Sequence, residues 1–207
     1  MKVLLAVPTA GHIQTETFGS LYSLGQLTGI PLYITQQCSV EINRESIIDK
    51  AIEGEYDYVI MVDSDMVFMP KDIDNLLVKI DSDKKIGMVA AIATLKTGEL
   101  DYNVNWLDKK NGGWLAQDKK IKKVHRYLKD GACVQADMVG TGVSVFRVSA
   151  LKELNKPYCI HTYEDGEWGG EDTSLCMNLQ DAGYKTFMHF GTPVGHIGTA
   201  VYIPEMK

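Results

Sequence analysis

The sequence lacks a surplus of basic residues, because 21 Lys and Arg stand against 27 Asp and Glu and give a net charge of −6. Proteins that bind polyanions normally carry a basic surplus that displaces counterions, so we expect no general nucleic-acid binding. We interpret one local basic run as a solvated face or loop, with contact to an anionic acceptor or a membrane surface as the alternative. The run consists of Lys119, Lys120, Lys122, Lys123, His125, Arg126 and Lys129.

Long apolar stretches are also missing. No segment approaches the roughly 20 apolar residues that cross a bilayer. Residues 1–8 are too short and too strand-like for a signal peptide. We therefore predict a cytoplasmic protein without a transmembrane segment.

The cysteines show no paired CxxC spacing, which argues against a zinc site built from cysteines and favours reduced, mostly buried thiols. They are Cys38, Cys133, Cys159 and Cys176. Proline is scarce, with 6 residues, whereas 45% of the chain is hydrophobic, as in ordinary globular proteins. The length of 207 residues fits one compact domain, and we predict a single domain over 1–207.

Along the first hundred residues, runs of apolar residues alternate with segments in which the apolar residues have helical spacing. The pattern predicts strands over 2–7, 31–36, 58–62 and 86–93, with helices over 45–52 and from Pro70 onward. This alternation is typical of an α/β protein with a largely parallel sheet covered by helices. Residues 94–137 show no clear period, and we interpret them as an insertion or edge hairpin near the site. Further elements are predicted at 138–148 (strand), 149–154 (helix), 173–182 (helix) and 184–190 (strand).

Asp63-Ser64-Asp65 follows the most hydrophobic predicted strand. Two carboxylates one residue apart point the same way, at the strand end where open α/β sheets bind ligands. Hard oxygen ligands suit Mg²⁺ or Mn²⁺, and such an ion can bridge a carboxylate to a diphosphate. We therefore predict a divalent-metal site here, with an exposed acidic turn as the alternative.

Residues 59–65 resemble the DxD motif of glycosyltransferases with the A-type (GT-A) fold. The resemblance implies a three-layer α/β fold with a central, mostly parallel mixed sheet, and it implies that Asp63, Ser64 and Asp65 bind the metal and the sugar-nucleotide. The same letters through Val67 also fit the signature of haloacid-dehalogenase-type phosphatases. In that family the motif follows the first strand, whereas here more elements precede it, so the phosphatase is our second choice.

A second constellation is Trp168-Gly169-Gly170-Glu171-Asp172, before a predicted helix. The glycines admit a close ligand, the indole offers a flat face to a sugar ring, and the acids precede a helix N-terminus. The segment is similar to the WGGED motif of β-1,4-galactosyltransferase-like families and to the ED motif of family 2 transferases. That resemblance makes Asp172 the candidate base, Glu171 an orienting or acceptor-binding acid, and Trp168, Gly169 and Gly170 substrate-binding residues.

Three further groups of residues complete the predicted site. Related transferases often supply a histidine ligand near the C-terminus, for which we select His196, with His189 as the alternative. Gly140 and Thr141, in a glycine-flanked turn, are predicted to bind substrate. The resemblance places nucleotide recognition at Pro8, Thr9, Ala10 and Arg44.

Together these motifs predict a metal-dependent, hexosyltransferase-like glycosyltransferase, inverting in mechanism. It would use Mn²⁺ or Mg²⁺, a UDP- or GDP-sugar and an acceptor that the sequence does not identify. Residues 1–100 would bind the nucleotide-sugar, and residues 101–207 would bind the acceptor and carry the catalytic acids. A nucleotidyltransferase and a non-catalytic nucleotide-sugar-binding module are the remaining alternatives.

Overall fold

The computed structural model describes residues 1–96, 101–111, 113–164, 167–198 and 201–202, with the backbone alone for 163–164, 167–168 and 201–202. The strands in chain order are β1 (Val3–Thr9), β2 (Leu32–Gln36), β3 (Tyr58–Val62), β4 (Met66–Val67), β5 (Ile86–Ile92), β6 (Val104–Asn105), β7 (Cys133–Gln135), β8 (Met138–Val139), β9 (Val143–Arg147), β10 (Thr162–Glu164), β11 (Glu167–Gly169), β12 (Lys185–Pro193), β13 (Gly195–Ile197) and β14 (Val201–Tyr202). The helices are α1 (Thr15–Thr28), α2 (Val40–Glu53), α3 (Pro70–Asp81), α4 (Gln117–Asp130), α5 (Val148–Leu151) and α6 (Glu171–Asp181).

A seven-stranded sheet with the order β2-β1-β3-β9-β5-β12-β7 forms the centre. Strands β2, β1, β3, β5 and β12 point the same way, whereas β9 and β7 run against them. The sheet is thus mixed but mostly parallel, and it takes strands from both sides of residue 100. Parallel strands covered on both faces read as continuous apolar runs, which is why β1, β3 and β5 are buried along their whole length.

Helices cover both faces of the sheet and give three layers. Along β1, Leu4 and Ala6 join one core cluster, while Leu5 and Val7 join the other. Buried side chains of α1 and α3 pack in the second cluster, and those of α2, α4, α5 and α6 pack in the first. The two clusters follow from the alternation of side chains along each strand.

Several predicted elements are confirmed. The bounds of β3 are those predicted, and α3 begins at Pro70, where a proline costs no helical hydrogen bond. Asp72 in the first turn of α3 accepts a hydrogen bond from the Met69 backbone N–H at 2.8 Å. None of the described helices is long and apolar enough to cross a bilayer. The described cysteines are free thiols, of which Cys159 and Cys176 are buried and Cys38 is exposed.

Two helices of the first hundred residues differ from the prediction. Helix α1 was not predicted, because two of its buried positions are polar (Thr17 and Ser20) and no apolar stripe marks it. Helix α2 begins at Val40 and not at residue 45, because Ser39 caps it by accepting the Ile42 N–H at 3.4 Å. An N-cap serine satisfies a backbone donor that the helix itself leaves unpaired.

The segment 94–137 is more ordered than predicted, since it contains the fourteen-residue helix α4. This helix buries only Lys120, Val124 and Leu128, so its cations hide the apolar period. The predicted strand over 138–148 is in fact two strands, β8 and β9, separated by the Gly140 turn. Helix α6 begins at Glu171, two residues earlier than predicted, which places both acids in its first turn.

Two small sheets position loops at the carboxyl edge of the large one. Strand β4 pairs with β13, and this pairing sets His196 opposite Met66, next to Asp65. Strand β6 pairs with β8, and Gly140 N donates to Asn103 O at 2.7 Å. The loops after β1, β3 and β5 and the turn before β9 therefore converge on one edge.

Candidate functional site

The Asp-Ser-Asp turn is fixed by backbone hydrogen bonds where β3 ends. Asp63 N donates to Gly142 O at 2.8 Å, and Met66 N donates to Asp63 O at 3.2 Å. Ile197 N donates to Asp65 O at 2.8 Å, so β13 holds the far side of the turn. Both carboxylates are consequently presented at the edge where open α/β sheets bind ligands.

A cleft of about 260 Å³ opens on one side of this turn. Its lining includes seven residues that the sequence predicted for the nucleotide or the metal: Pro8, Thr9, Ala10, Asp63, Ser64, Asp65 and His196. It also includes Asn43, which precedes Arg44 in the segment predicted for nucleotide recognition, and three residues that were not predicted: Cys38, Ser39 and Val40. Because Ser39 caps α2, the positive N-terminal end of that helix lies at the cleft, and such an end favours anions. A serine ahead of a helix is a local N-cap signal in the sequence. The predicted helix start at residue 45 placed Ser39 outside α2.

A smaller cavity of about 120 Å³ lies on the other side of Asp63. It is lined by predicted residues from five segments, namely Arg44, Asp63, Gly140, Thr141, Glu171, Asp172 and His196. Asn103 and Leu95 also line it, and they come from the segment that showed no period in the sequence. Asp63 and His196 line both the cleft and the cavity, so the two spaces meet at the predicted metal-binding residues.

Arg44 joins the acids of the cavity. Its side chain is buried, Nη2 donates to Asp63 Oδ1 and Oδ2 at 3.1 and 3.3 Å, and Nε donates to Glu171 Oε1 at 3.2 Å. Nη1 is buried without a hydrogen-bond partner among the described residues. Burial by itself would lower the pKa of Arg44, but the carboxylates of Asp63, Glu171 and Asp172 outweigh it and raise that pKa. Arg44, which the sequence predicted at the nucleotide, lines the cavity and not the cleft.

Asp172 has the most perturbed carboxyl group of the cavity. Burial, followed by the charge of Glu171, raises its pKa from 3.8 to about 6, although Arg44 and the Thr173 N–H act in the opposite direction. The Thr173 N–H donates to Asp172 Oδ1 at 2.8 Å. A carboxylate with a pKa near neutrality is a suitable general base at physiological pH.

Two glycines precede these acids for steric reasons. A methyl group at Gly169 would overlap Thr162 Oγ1, its partner across the β10–β11 pair, and one at Gly170 would lie 2.9 Å from Asp172 Oδ1. Gly140 is equally restricted, since a Cβ there would lie 2.8 Å from the Asn103 Cβ. The backbone of Trp168 belongs to β11, but its side chain lies outside the described residues.

The ring of His196 is fixed by contacts on both nitrogens. Its Nδ1 lies 2.9 Å from the carbonyl oxygen of Thr94, which can only accept, so Nδ1 carries the proton and Nε2 faces Asp65 Oδ1 at 3.7 Å. A histidine held in this way presents a free lone pair on Nε2, as metal-binding histidines do. The alternative, His189, lies in β12 with its Nδ1 3.1 Å from Thr192 Oγ1, and it lines neither space.

Cations of the chain itself neutralise the Asp-Ser-Asp carboxylates. Lys96 Nζ is bound to Asp65, and Arg44 is bound to Asp63. Within the described residues no three His, Cys, Asp or Glu side chains are gathered closely enough to form a ready metal cluster. The donor set of Asp63, Asp65 and His196 nevertheless fits a hard divalent ion once Lys96 leaves Asp65.

His161 is a further residue that the sequence did not suggest. Its Nε2 lies 2.9 Å from Glu41 Oε1 and 3.8 Å from Glu171 Oε2. It therefore connects the first turn of α2 to the first turn of α6. On Glu171 it contacts Oε2, whereas Arg44 contacts Oε1. No spacing in the sequence relates His161 to Glu41, because the contact exists only in the folded chain.

Comparisons with known proteins define the fold. No protein-family model and no curated protein sequence matches the chain. Among solved structures, A197 from STIV superposes with a TM-score of 0.66 at 18% identity, covering 96% of this chain and 86% of A197. GalNAc-T7 with UDP, GalNAc and Mn²⁺ gives 0.58 at 14% identity over 95% of this chain, which spans 44% of GalNAc-T7. CMP:2-keto-3-deoxy-manno-octonic acid synthetase complexed with CTP gives 0.50 at 13% identity, with 91% and 89% coverage.

These similarities, together with the three-layer architecture, confirm the predicted fold class: the chain has the GT-A nucleotide-diphospho-sugar transferase fold.

Proposed function

We propose that this protein is a metal-dependent glycosyltransferase, which moves a sugar from a nucleotide-diphosphate sugar to an acceptor hydroxyl with inversion. One observation carries the proposal. The cleft and the cavity meet at Asp63, and the cavity contains a carboxyl group, on Asp172, with its pKa raised to about 6. A transferase needs this arrangement, with the leaving nucleotide on one side of the transferred sugar and a base on the other.

The donor end is the 260 Å³ cleft. Pro8, Thr9 and Ala10 from the β1 loop would contact the nucleoside, and the N-terminus of α2 at Ser39 would face the diphosphate. In support, GalNAc-T7, which shares the fold, contains UDP and Mn²⁺. A UDP- or GDP-sugar is the donor we propose.

Asp63, Asp65 and His196 would hold Mn²⁺ or Mg²⁺. The ion would supply positive charge to the diphosphate as it departs. The contact between His196 Nδ1 and the Thr94 carbonyl oxygen fixes the ring, so that Nε2 is directed at Asp65. Lys96, released from Asp65, would remain beside the cleft as a second cation.

The acceptor end is the cavity, where Asp172 would take the proton of the attacking hydroxyl. Glu171 is tied to Arg44 and His161, so its role would be to orient the site. Gly140 and Thr141 on one wall, with Trp168, Gly169 and Gly170 ahead of α6, would contact the sugar or the acceptor. Gly169 lets β10 and β11 approach each other closely, and Gly170 leaves room for the Asp172 carboxylate.

A nucleotidyltransferase is the second candidate, because CMP:2-keto-3-deoxy-manno-octonic acid synthetase has a similar fold. Product analysis separates the two reactions. A transferase, or its slow side reaction with water, releases a nucleoside diphosphate from a nucleotide-sugar. A nucleotidyltransferase releases pyrophosphate from a nucleoside triphosphate and a sugar.

The experiment begins with a thermal-shift panel of UDP-, GDP-, CDP- and dTDP-sugars, each with and without Mn²⁺. The stabilising donor is then incubated with the protein, and nucleoside diphosphate and free sugar are quantified. Separate reactions supply a nucleoside triphosphate with a free sugar, where pyrophosphate is quantified, and an aryl phosphate, where the released phenol is quantified. Metal-dependent nucleoside diphosphate release that Asp172→Asn abolishes supports the proposal. Pyrophosphate release or cleavage of an aryl phosphate would contradict it in favour of the nucleotidyltransferase or the phosphatase. Binding of a donor without any turnover would support the non-catalytic nucleotide-sugar-binding module.

A further inference from the structure

Helix α4 concentrates positive charge in an otherwise acidic protein. The helix carries six Lys or Arg and two Asp, a net of +4, which leaves −10 for the rest of a chain whose net charge is −6. An asymmetry of this size gives the molecule a charge dipole, and a negative surface would attract it by the α4 side.

The cations of α4 form one exposed stripe. Lys119, Lys122, Arg126 and Lys129 are spaced by three, four and three residues, which places them on one side of a helix, and all four are exposed. The opposite side, with Val124 and Leu128, is buried in the core. None of the four makes a salt bridge to a described residue, whereas the buried Lys120 is paired with Asp101. We call these four residues the cationic face.

An apolar pair lies beside the N-terminal end of the cationic face. Leu107 and Trp114 bridge to each other in a hairpin and are 48% and 36% exposed. Trp106 ties this hairpin to α4, because its ring centroid lies 3.8 Å from Lys123 Nζ and its carbonyl accepts the Leu115 N–H at 2.8 Å. Exposed Lys109 and Lys110 occupy the tip of the same hairpin.

This surface belongs to the half of the molecule that contains the Asp172 cavity. His125 on α4 contacts the Tyr102 hydroxyl at 3.1 Å, and Asn103, the next residue along the chain, lines that cavity. The Tyr102 and Asn103 pair therefore links α4 to the wall of that cavity.

We propose that the cationic face and the Leu107–Trp114 pair bind an anionic phospholipid surface. Lysines and arginines alone would serve any polyanion. An exposed tryptophan and leucine beside them add apolar contact that a bilayer interface accepts and a hydrated polyanion does not. The remaining chain, at −10, would be repelled by the same surface, so the protein would dock with α4 toward the lipid. The proposal does not depend on the transferase function, because binding is measured without nucleotide.

The test is co-sedimentation with vesicles of phosphatidylcholine alone or mixed with phosphatidylglycerol. The double variant Lys122→Glu/Arg126→Glu is compared with Lys84→Glu/Lys152→Glu, which changes the net charge equally at two exposed lysines away from α4. Each basic residue contributes on the order of 1 kcal/mol near an anionic bilayer, so the α4 variant should bind at least about tenfold more weakly. The control should bind like the parent. Trp114→Ser should also weaken binding, and this loss should persist at high salt, where charge is screened.

Three outcomes would overturn the proposal. One is absence of binding to the anionic vesicles, and another is equal loss in the α4 variant and its control. The third is binding to soluble heparin that is as tight as binding to vesicles and insensitive to Trp114→Ser, which would identify an anionic polymer as the ligand. If the double variant fails to fold, Lys119→Gln/Lys129→Gln removes charge at the two ends of the stripe, with Lys84→Gln/Lys152→Gln as its control.

Discussion

Arg44 Nη2 lies 3.1 Å from Oδ1 of Asp63, and this ion pair ties α2 to the turn that follows β3. The same guanidinium reaches Glu171 at the start of α6 through Nε. One buried side chain thus connects the three elements that present the acids of the site. Its contribution is positional, since it holds both oxygens of Asp63 and one oxygen of Glu171.

Replacing Arg44 should destabilise the fold strongly. Arg44→Met leaves two carboxylates in a partly buried place without their cation, a loss that typically costs about 3–5 kcal/mol. Arg44→Lys should cost less but more than a surface change, because an ammonium cannot form the same fork of hydrogen bonds. Urea unfolding measures both variants. Exposed Arg126→Met is the matched control and should stay within about 0.5 kcal/mol of the parent. An equal effect at both arginines would contradict the bridging role.

Metal binding should compete with Lys96 for Asp65. Calorimetry with Mn²⁺ should show weaker binding in Asp65→Ala and His196→Ala, and tighter binding in Lys96→Gln, which removes the competing ammonium. Nucleoside diphosphate binding should fall in EDTA and in Asp65→Ala. Asp74→Ala, at an exposed position of α3, is the control for loss of one carboxylate. Diphosphate affinity that is indifferent to both EDTA and Asp65→Ala would remove the metal from the proposed mechanism.

The close contact at Gly169 predicts a rescue. Gly169→Ala should destabilise the protein by about 1–3 kcal/mol, because the new methyl overlaps Thr162 Oγ1. In Thr162→Ala/Gly169→Ala the hydroxyl is gone and most of the stability should return. Gly140→Ala provides the contrast, since its nearest neighbour is the Asn103 Cβ at 2.8 Å, which Asn103→Ala keeps. Rescue at both sites or at neither would show that these contacts do not limit the backbone.

Sequence patterns predicted what is local and repetitive in this protein. The apolar strand before Asp63 and the proline that opens α3 both act through neighbouring residues, so their signals survive in the linear chain. Helix α1 buries Thr17 and Ser20, and α4 buries only two apolar residues among many lysines, so neither has a clear period. Tertiary packing determines both helices.

The candidate site likewise combines residues that local motifs predicted with contacts that only the folded chain creates. The DxD-like and WGGED-like runs supplied the acids, and the order of the strands brought them to one edge. Lys96 on Asp65 and His161 between Glu41 and Glu171 are contacts between distant segments without any motif. Ser39 was the one missed residue with a local signal, as the N-cap of α2.

Asp172 should make the folded protein less stable as the pH rises. Its folded-state pKa of about 6 lies above the ordinary value of 3.8, so the folded state favours the neutral acid. Stability is unaffected below 3.8, falls between 3.8 and 6, and stays reduced above 6. Asp172→Asn removes the charge, so the variant should match the parent at the acid end and exceed it above pH 6, by at most about 3 kcal/mol. Urea unfolding across this range measures the difference, and a constant difference would refute the raised pKa.

The same substitution should have the opposite effect on the reaction. A general base acts only when ionised, so the rate of the parent should fall about tenfold for each pH unit below the Asp172 pKa and level off above it. Asp172→Asn should retain the fold and bind nucleotide and Mn²⁺ like the parent, yet lose transfer by at least about two orders of magnitude. Glu171→Gln should keep the base but move the pH profile toward lower pH, because the charge of Glu171 contributes to the raised pKa of Asp172. Steady-state release of nucleoside diphosphate from the donor found in the thermal-shift panel measures the rate of all three proteins. Near-parental transfer by Asp172→Asn would instead support a retaining mechanism, in which Asp172 only orients the substrate.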